Sequence, residues 1–267
     1  MDFTQLYVAG AGALPALVAM WIIDRLDAKR PEPRSLRRKV ALFGGLACIP
    51  AIIIELVLAD ILNHQGAPQL TYRGAVLHAT VVAAAVEEAC KISVVYWLVW
   101  KRPEFDERMD GIVYAARAGL GFALVENILY MLQQQSLDGA IQTWVIRAAL
   151  TVPGHAMWTG VMGYFAARRR FDRRGLGIVG GYLIAVAGHG LFDTAVFLGM
   201  PLRIEGFEAY AELLMLVPAL IIVAFWLGMR RAARTALALD DADAARAMGM
   251  AQTHADAIAV APAPPQG

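Results

Sequence analysis

The sequence predicts an all-α protein, a polytopic membrane helix bundle of about seven transmembrane helices. Of its 267 residues 58% are hydrophobic and only 18% are charged, apolar stretches of about 20 residues recur along the chain, and basic residues collect in alternate loops. A helix of about 20 residues is needed to cross the hydrocarbon core of a bilayer. A soluble domain of this size would carry more charge and shorter apolar runs.

The apolar stretches give seven candidate spans in chain order. They cover residues 4–23, 40–62, 74–100, 111–132, 141–167, 176–199 and 208–229. The segments after the first, third, fifth and seventh spans hold nineteen Lys and Arg residues, whereas the alternate loops hold only Arg73 and Arg203. Because basic loops remain on the cytoplasmic side, we expect the N-terminus outside, the C-terminus in the cytoplasm and a multi-pass location in the cell membrane.

One transmembrane domain, residues 1–234, is predicted, with its polar motifs within 74–199. The basic residues of the first span follow its apolar run, so we interpret that span as an anchor and not as a removable signal. The Ala-rich cytoplasmic tail, 235–267, should continue the last span as a helix for a few turns and then become disordered. Cys48 and Cys90 both lie in spans, and we expect both to be small packing residues. A ligand role is the alternative for Cys90.

The third span carries three charged residues near its middle, Glu87, Glu88 and Lys91. An ionisable group at the centre of a span costs about 2.5 to 3.5 kcal/mol on insertion scales, so such groups usually have a function. Glu87 and Lys91 share a helix face, and a purely structural salt bridge between them would leave the other carboxylate without a partner. Two adjacent carboxyls beside one ammonium suit a general base, and we favour this functional interpretation.

The fourth span carries a deep Glu126-Asn127 pair. Gly119 and Gly121, one or two turns earlier, would let a neighbouring helix approach closely. The alternative to a functional role is a polar pair that only holds helices together.

The fifth and sixth spans carry histidines. Pro153 lacks an amide hydrogen, so the helix should bend or loosen just before His155. His189 and Asp193 are four residues apart and share a face, so the carboxylate can orient the imidazole. A lone intramembrane histidine can also be a simple interhelical hydrogen-bonding group, which is the alternative for His155.

The four motifs are expected to lie at similar depths in the bilayer. At about 1.5 Å per residue, the carboxylates and imidazoles of the four spans fall in one central band of the bilayer. Three Glu, two His and one Asp make a set for a zinc-like site with an open water position. The same residues could equally bind water without a metal. Arg117 and Arg147 lie nearer their span ends and are expected to reach towards the interface.

Four short motifs occur in order, each on its own span: Glu-Glu-x-x-Lys at 87–91, Phe-x-x-x-Glu-Asn at 122–127, His155 with Gly163, and His-x-x-x-Asp at 189–193. Together they resemble the PrsW family of polytopic intramembrane proteases, a distant relative of the CAAX-prenyl-protease and bacteriocin-immunity superfamily. The resemblance covers residues 74 to 199.

The resemblance implies an intramembrane endopeptidase in which a Glu activates water, with or without a metal such as zinc. Its substrate would be a membrane-spanning protein such as an anti-sigma factor, with the lipid bilayer as surroundings and no nucleic-acid partner. The implied catalytic residues are Glu87, Glu88, Glu126, His155 and His189, the supporting residues are Lys91, Asn127 and Asp193, and the metal ligands are His155, His189 and Glu87. The related prenyl proteases have a His where this chain has Glu126, so prenylated substrates are not expected.

Two other functions fit the same residues. A proton- or metal-coupled transporter would also use intramembrane carboxylates, although the inverted repeats typical of transporters are not evident in the sequence. A family member without proteolytic activity could act as a binding scaffold, but its motifs would not need to be intact.

Overall fold

The computed structural model describes residues 3–62 and 71–260, and both ranges are helical with no β-strand. The helices are α1 (Phe3–Leu26), α2 (Arg34–Leu46), α3 (Cys48–Leu62), α4 (Tyr72–Leu77), α5 (Ala85–Leu98), α6 (Arg108–Leu132), α7 (Leu137–Ile146), α8 (Val152–Asp172), α9 (Gly177–Phe197), α10 (Gly199–Ile204), α11 (Glu208–Leu214) and α12 (Leu216–Val260). The all-α prediction is confirmed.

Two π-helical segments interrupt the helices that carry charged motifs. His78–Ala84 joins α4 to α5, and Arg147–Thr151 joins α7 to α8, so that each pair forms one continuous helix. A π-helical turn widens the backbone locally and is frequent at functional sites. The second segment ends just before Pro153. The predicted loosening of the helix at this proline is therefore confirmed.

Five helical segments of the described chain are long and apolar enough to cross a membrane. They are Gln5–Leu26, Arg34–Leu62, Arg108–Leu132, Gly177–Ile204 and Glu208–Met250. They support a multi-pass membrane protein. The predicted spans 74–100 and 141–167 are helical but are not among the five, because three charges interrupt the first and polar residues lower the hydropathy of the second. The count of seven and the orientation stay predictions.

Helix α6 is the centre of the bundle. It packs against α1, α2 and α8, and most of its residues from 108 to 123 are buried. Large apolar side chains on the outer helices are exposed, among them Ile53, Trp97 and Leu220. Exposed apolar surface of this extent suits contact with lipid.

The last helix, α12, runs without a break across the predicted domain boundary at residues 234 and 235. Its Asp240 is buried and accepts hydrogen bonds from the backbone N–H groups of Arg108 (3.1 Å) and Met109 (3.0 Å) at the start of α6. The first part of the Ala-rich tail is therefore docked onto the bundle. The helix continues to Val260, farther than the few turns expected after residue 234. Residues 261–267 lie outside the described residues, and the domain boundary stays a prediction.

Candidate active site

The charged residues of α5 are held together by the Lys91 ammonium, which is fully buried. Lys91 Nζ lies 2.9 Å from Glu87 Oε2 and 2.8 Å from Glu88 Oε1. It also lies 2.7 Å from Nδ1 of His155 on α8. The expectation that a salt bridge to one carboxylate would leave the other without a partner is wrong, because one turn of helix brings both acids within reach of the same ammonium.

Glu88 is enclosed by contacts on both of its carboxylate oxygens. Besides Lys91, its Oε1 lies 3.1 Å from His189 Nδ1, and its Oε2 accepts a hydrogen bond from the Thr159 hydroxyl at 2.9 Å. The residue has no exposed surface. A carboxylate whose lone pairs are used in this way orients its neighbours and has little capacity left for a water.

Glu87 is placed differently from its neighbour. Its contacts with Lys91, His155 and His189 all involve Oε2, at 2.9 Å, 3.9 Å and 3.9 Å. Its side chain keeps about a tenth of its surface exposed. Of the two adjacent acids, Glu87 is the one that can meet a substrate or a water.

Glu126 on α6 faces the same centre from the other side. Its Oε2 lies 2.8 Å from His155 Nε2 and 2.9 Å from an Arg147 nitrogen. The angles at these contacts are too poor for hydrogen bonds, since all three atoms lack a hydrogen-bond partner among the described residues. The contact with Arg147 is an ion pair, the contact with His155 is one only when the imidazole is protonated, and the three atoms are open to a further ligand.

Arg147 points into the protein. It is buried, its Nε donates to Asn127 Oδ1 at 2.5 Å, and its guanidinium lies over the Tyr130 ring at 4.0 Å. The expectation that it reaches towards the interface is wrong, because α7 and its π-helical segment turn this side chain towards α6. Asn127 in turn donates to the carbonyl of Gly12 on α1, at 3.3 Å.

The two histidines meet with their rings 5.3 Å apart. His189 is stacked on Trp158, with ring centroids 4.2 Å apart and planes at 11°. Its Nε2 lies 3.3 Å from Asp193 Oδ2, as their four-residue spacing predicts. Carboxylates on both sides of this imidazole fix the orientation of the ring.

Close packing of α6 on α8 keeps these groups in register. A Cβ atom at Gly119 would lie 2.3 Å from the carbonyl oxygen of His155, and one at Gly163 would lie 2.0 Å from that of Gly111. Only glycine permits this approach at either position. The predicted role of Gly119 is confirmed, and Gly121 serves the same purpose towards α2.

The residues present fit a divalent metal of the zinc type. Glu87, His155 and His189 each offer one ligand atom, and the three atoms lie within 4.8 Å of one another. Two imidazoles with one carboxylate are a common catalytic zinc set. The second nitrogens of both imidazoles lie beside carboxylates, which is the usual support for ligating histidines. The Lys91 ammonium contacts the same side of Glu87 and His155, so it and a metal would compete there.

Reasoning from sequence missed two residues of the site and gave a third the wrong direction. Thr159 and Trp158 gave no charge signal, although Thr159 lies four residues after His155 and so shares its face. Arg147 was noticed but assigned the wrong direction. Cys90 does not belong to the metal-capable group in the described part of the chain, and Cys48 packs near Phe122 with its Sγ 3.5 Å from the carbonyl oxygen.

Comparison with known proteins identifies relatives over most of the chain. A family model described as PrsW family intramembrane metalloprotease matches residues 32–229. The chain is 34% identical over 187 residues to Protease PrsW of Geobacillus kaustophilus (strain HTA426), covering 68% of this chain and 76% of that protein. It is 30% identical to Protease PrsW of Clostridioides difficile (strain 630), with 67% and 75% covered. For Protease PrsW of Oceanobacillus iheyensis the identity is 28%, with 82% and 92% covered. No solved structure matches.

Proposed function

This chain belongs to the PrsW family of intramembrane metalloproteases, and from that premise we propose that Glu87 activates the water that cleaves a membrane-spanning protein substrate. It is a multi-pass membrane protease, so its substrate is a protein. The observation that supports the role of Glu87 is the contrast within the acid pair. Glu88 has both oxygens engaged, whereas the contacts of Glu87 are on Oε2 and its side chain is partly accessible.

In the proposed reaction Glu87 accepts a proton from a water, and the resulting hydroxide attacks the carbonyl carbon of the scissile peptide bond. The oxyanion that forms is stabilised by His189, whose ring is held between Glu88 and Asp193. Glu87 then returns the proton to the leaving nitrogen, the C–N bond breaks, and a carboxyl and an amine terminus result. Lys91 and Glu88 are positioning residues, because they act through Glu87 and the histidines.

Glu126 and His155 form the opposite wall in this proposal. Arg147 and Asn127 orient Glu126, and Glu126 orients His155. In the metal-assisted form His155, His189 and Glu87 would hold the ion, so the roles given above to Glu87 as base and to His189 as oxyanion contact belong to the form without a metal. A zinc-type ion would lower the pKa of the attacking water and polarise the substrate carbonyl. The family description supports this metal-assisted form, and the contact of Lys91 with the same residues supports the metal-free form.

The proposed substrate is a single-pass membrane protein of the anti-sigma-factor type, cleaved within or near the bilayer. The test is co-reconstitution of the purified chain with a single-pass anti-sigma factor from the same cell, with products identified by mass spectrometry. We expect one cleavage near the membrane and no flux of protons or metal ions through the same vesicles. Flux without peptide cleavage would overturn the proposal in favour of a transporter.

The metal content of the purified protein distinguishes the metalloprotease form of the site from the glutamate form without a metal. Elemental analysis of the active protein should be compared with the His155→Ala and His189→Ala variants, and His78→Ala serves as a control histidine outside the cluster. One zinc per chain that is lost in both site variants and kept in the control would support the metalloprotease form. Active protein without a metal would support the glutamate form.

A further inference from the structure

A second group of buried acids lies away from the protease site, at the end of the bundle where α1 ends and α6 begins. Asp27 directly follows α1, Glu32 lies in the linker just before α2, and Asp110 is in the first turn of α6. Each offers one carboxylate oxygen, and the three oxygens lie within 4.8 Å of one another. We call these three residues the Asp27 cluster. They come from three separate segments that the fold brings together.

The acids of this cluster are buried, and several of their oxygens have no donor. Asp27 is 2% exposed, and neither of its carboxylate oxygens has a hydrogen-bond partner among the described residues. Asp110 is 1% exposed; its Oδ2 accepts from the backbone of Asp106 and Glu107, while its Oδ1 likewise has no partner in the described chain. Glu32 accepts a hydrogen bond from the Tyr114 hydroxyl. A buried carboxylate without donors is costly, so the free oxygens of Asp27 point to an absent partner.

The basic residues nearby do not supply that partner. Within the described ranges, no Lys or Arg nitrogen lies within 4.0 Å of the three carboxylates. Arg30 pairs with Glu107 and Asp241, and Arg108 is used by three aspartates. Burial, followed by the charges of Glu107 and Glu32, raises the pKa of Asp27 to about 7. The three carboxyl groups therefore lie close enough to repel one another when ionised, and no Lys or Arg side chain of the described ranges lies against them.

We propose that the Asp27 cluster is a binding site for a hard divalent cation of the Mg²⁺, Mn²⁺ or Ca²⁺ class. Its ligands are all oxygens, which such cations prefer, and it holds no thiolate or imidazole that would select zinc. Glu107, whose charge acts on Asp27, has one buried oxygen without a hydrogen-bond partner among the described residues and offers a further oxygen ligand. This ligand chemistry differs from that of the protease site, where two imidazoles are present.

A cation here would tie the α1–α2 linker to the first turn of α6. The ion would hold the first turn of α6, the central helix of the bundle, in place. Glu126 of the protease site lies near the other end of the same helix. The proposal does not depend on the proposed catalytic roles, because it concerns other residues and a different class of metal.

The test measures Mn²⁺ binding to the full-length protein in lipid nanodiscs after removal of metals with a chelator. Electron paramagnetic resonance gives the number of bound ions, and nitrogen couplings distinguish a site with imidazole from a site with oxygens alone. We expect one oxygen-only Mn²⁺ per chain in the parent. Its affinity should fall about 100-fold or more in Asp27→Asn and in Glu32→Gln, since each removes a charged ligand. The control Asp138→Asn, which removes an exposed acid of α7, should keep the site.

Thermal unfolding provides a second reading of the same ion. Mg²⁺, Mn²⁺ or Ca²⁺ at saturation should raise the unfolding temperature of the parent by about 5 °C or more. In Asp27→Asn the cation effect should disappear, and without cations this variant should be at least as stable as the parent, because one repelling charge is gone. If Asp27→Asn does not fold, Glu32→Gln takes its place. A parent that binds no oxygen-only Mn²⁺, or variants that keep it, would overturn the proposal and indicate acids that share protons.

Discussion

Two clusters of buried acids balance their charge in different ways. The Lys91 cluster (Glu87, Glu88, Lys91, His155 and His189) has an ammonium of its own at its centre, within 2.9 Å of two carboxylates and one imidazole. The Asp27 cluster has three carboxylates with no cationic side chain within 4.0 Å in the described chain. A cluster with an internal cation is assembled when the helices pack. The acids of the Asp27 cluster have no such partner, and the bound cation proposed above would take its place.

The two clusters also differ in what their side chains are suited to do. The Lys91 cluster leaves one carboxylate partly accessible and surrounds it with oriented imidazoles, which suits proton transfer. The Asp27 cluster connects chain segments at the start of α6, and it has no imidazole.

The largest effect is expected when the internal cation is removed. Lys91→Met should cost about 3 to 5 kcal/mol of folding free energy, because it leaves two buried carboxylates without their partner, and cleavage should be lost. The measurement is thermal unfolding in nanodiscs beside Lys101→Met, which removes an exposed lysine. Adding Glu88→Gln to Lys91→Met should restore part of the stability. Equal stability of the Lys91 and Lys101 variants would contradict an internal ammonium at this place.

A smaller loss is expected when α6 is pushed away from α8. In Gly119→Ala the new methyl group would lie 2.3 Å from the His155 carbonyl oxygen, and such overpacking costs about 1 to 3 kcal/mol. Cleavage should fall with it, since Glu126 and His155 lie on the two helices. Gly10→Ala is the control, because a methyl group there meets nothing within 4 Å. Identical unfolding temperatures of the two variants would show that the helices are not in this contact.

Loss of the Arg147 guanidinium should change activity more than stability. Arg147→Met should lower kcat about 10- to 100-fold with KM changed less than about 3-fold, since the residue orients Glu126 and Asn127. Arg147→Lys should recover only part, because an ammonium cannot reproduce both contacts. Steady-state cleavage beside Arg102→Met, an exposed control, measures this. A change confined to KM would place Arg147 in substrate binding.

The smallest effect is expected at the docked part of α12. Asp240→Ala removes the side chain that accepts from the first N–H groups of α6 and should cost about 0.5 to 2 kcal/mol. Asp241→Ala, which removes the exposed neighbour that pairs with Lys29 and Arg30, should cost less, because exposed ion pairs contribute little to stability. Chemical denaturation of both proteins tests the order. The reverse order would mean that α12 is not anchored by Asp240.

Much of the fold could be predicted because lipid imposes simple rules. Long apolar runs must be helices, and motif depth follows from counting residues along a span. The structure brings Glu87, Glu126, His155 and His189 together, as those depths suggest; their catalytic roles stay a proposal. The predicted spans 74–100 and 141–167, which are not among the five long apolar helices, are the ones that charged or polar residues interrupt.

Other features depend on helix rotation and on contacts between distant segments. The direction of Arg147 follows from how α7 and its π-helical segment pack on α6, which hydropathy does not encode. The Asp27 cluster was missed for a related reason. Its acids lie in a linker and at a helix start, where charge is ordinary, and only the fold shows that they are buried together.

The proposed role of Glu87 in activating the water is tested most directly by the cleavage rate of Glu87→Gln under single-turnover conditions. The substrate is the single-pass membrane protein cleaved by the parent, and thermal unfolding must show that the variant is as folded as the parent. Asp60→Asn, which removes an exposed acid of α3, is the matched control. If Glu87 is the base, the rate of Glu87→Gln should lie about 10²- to 10⁴-fold below that of the parent, and the control should cleave at the parental rate. A folded Glu87→Gln protein that cleaves at the parental rate would contradict this role.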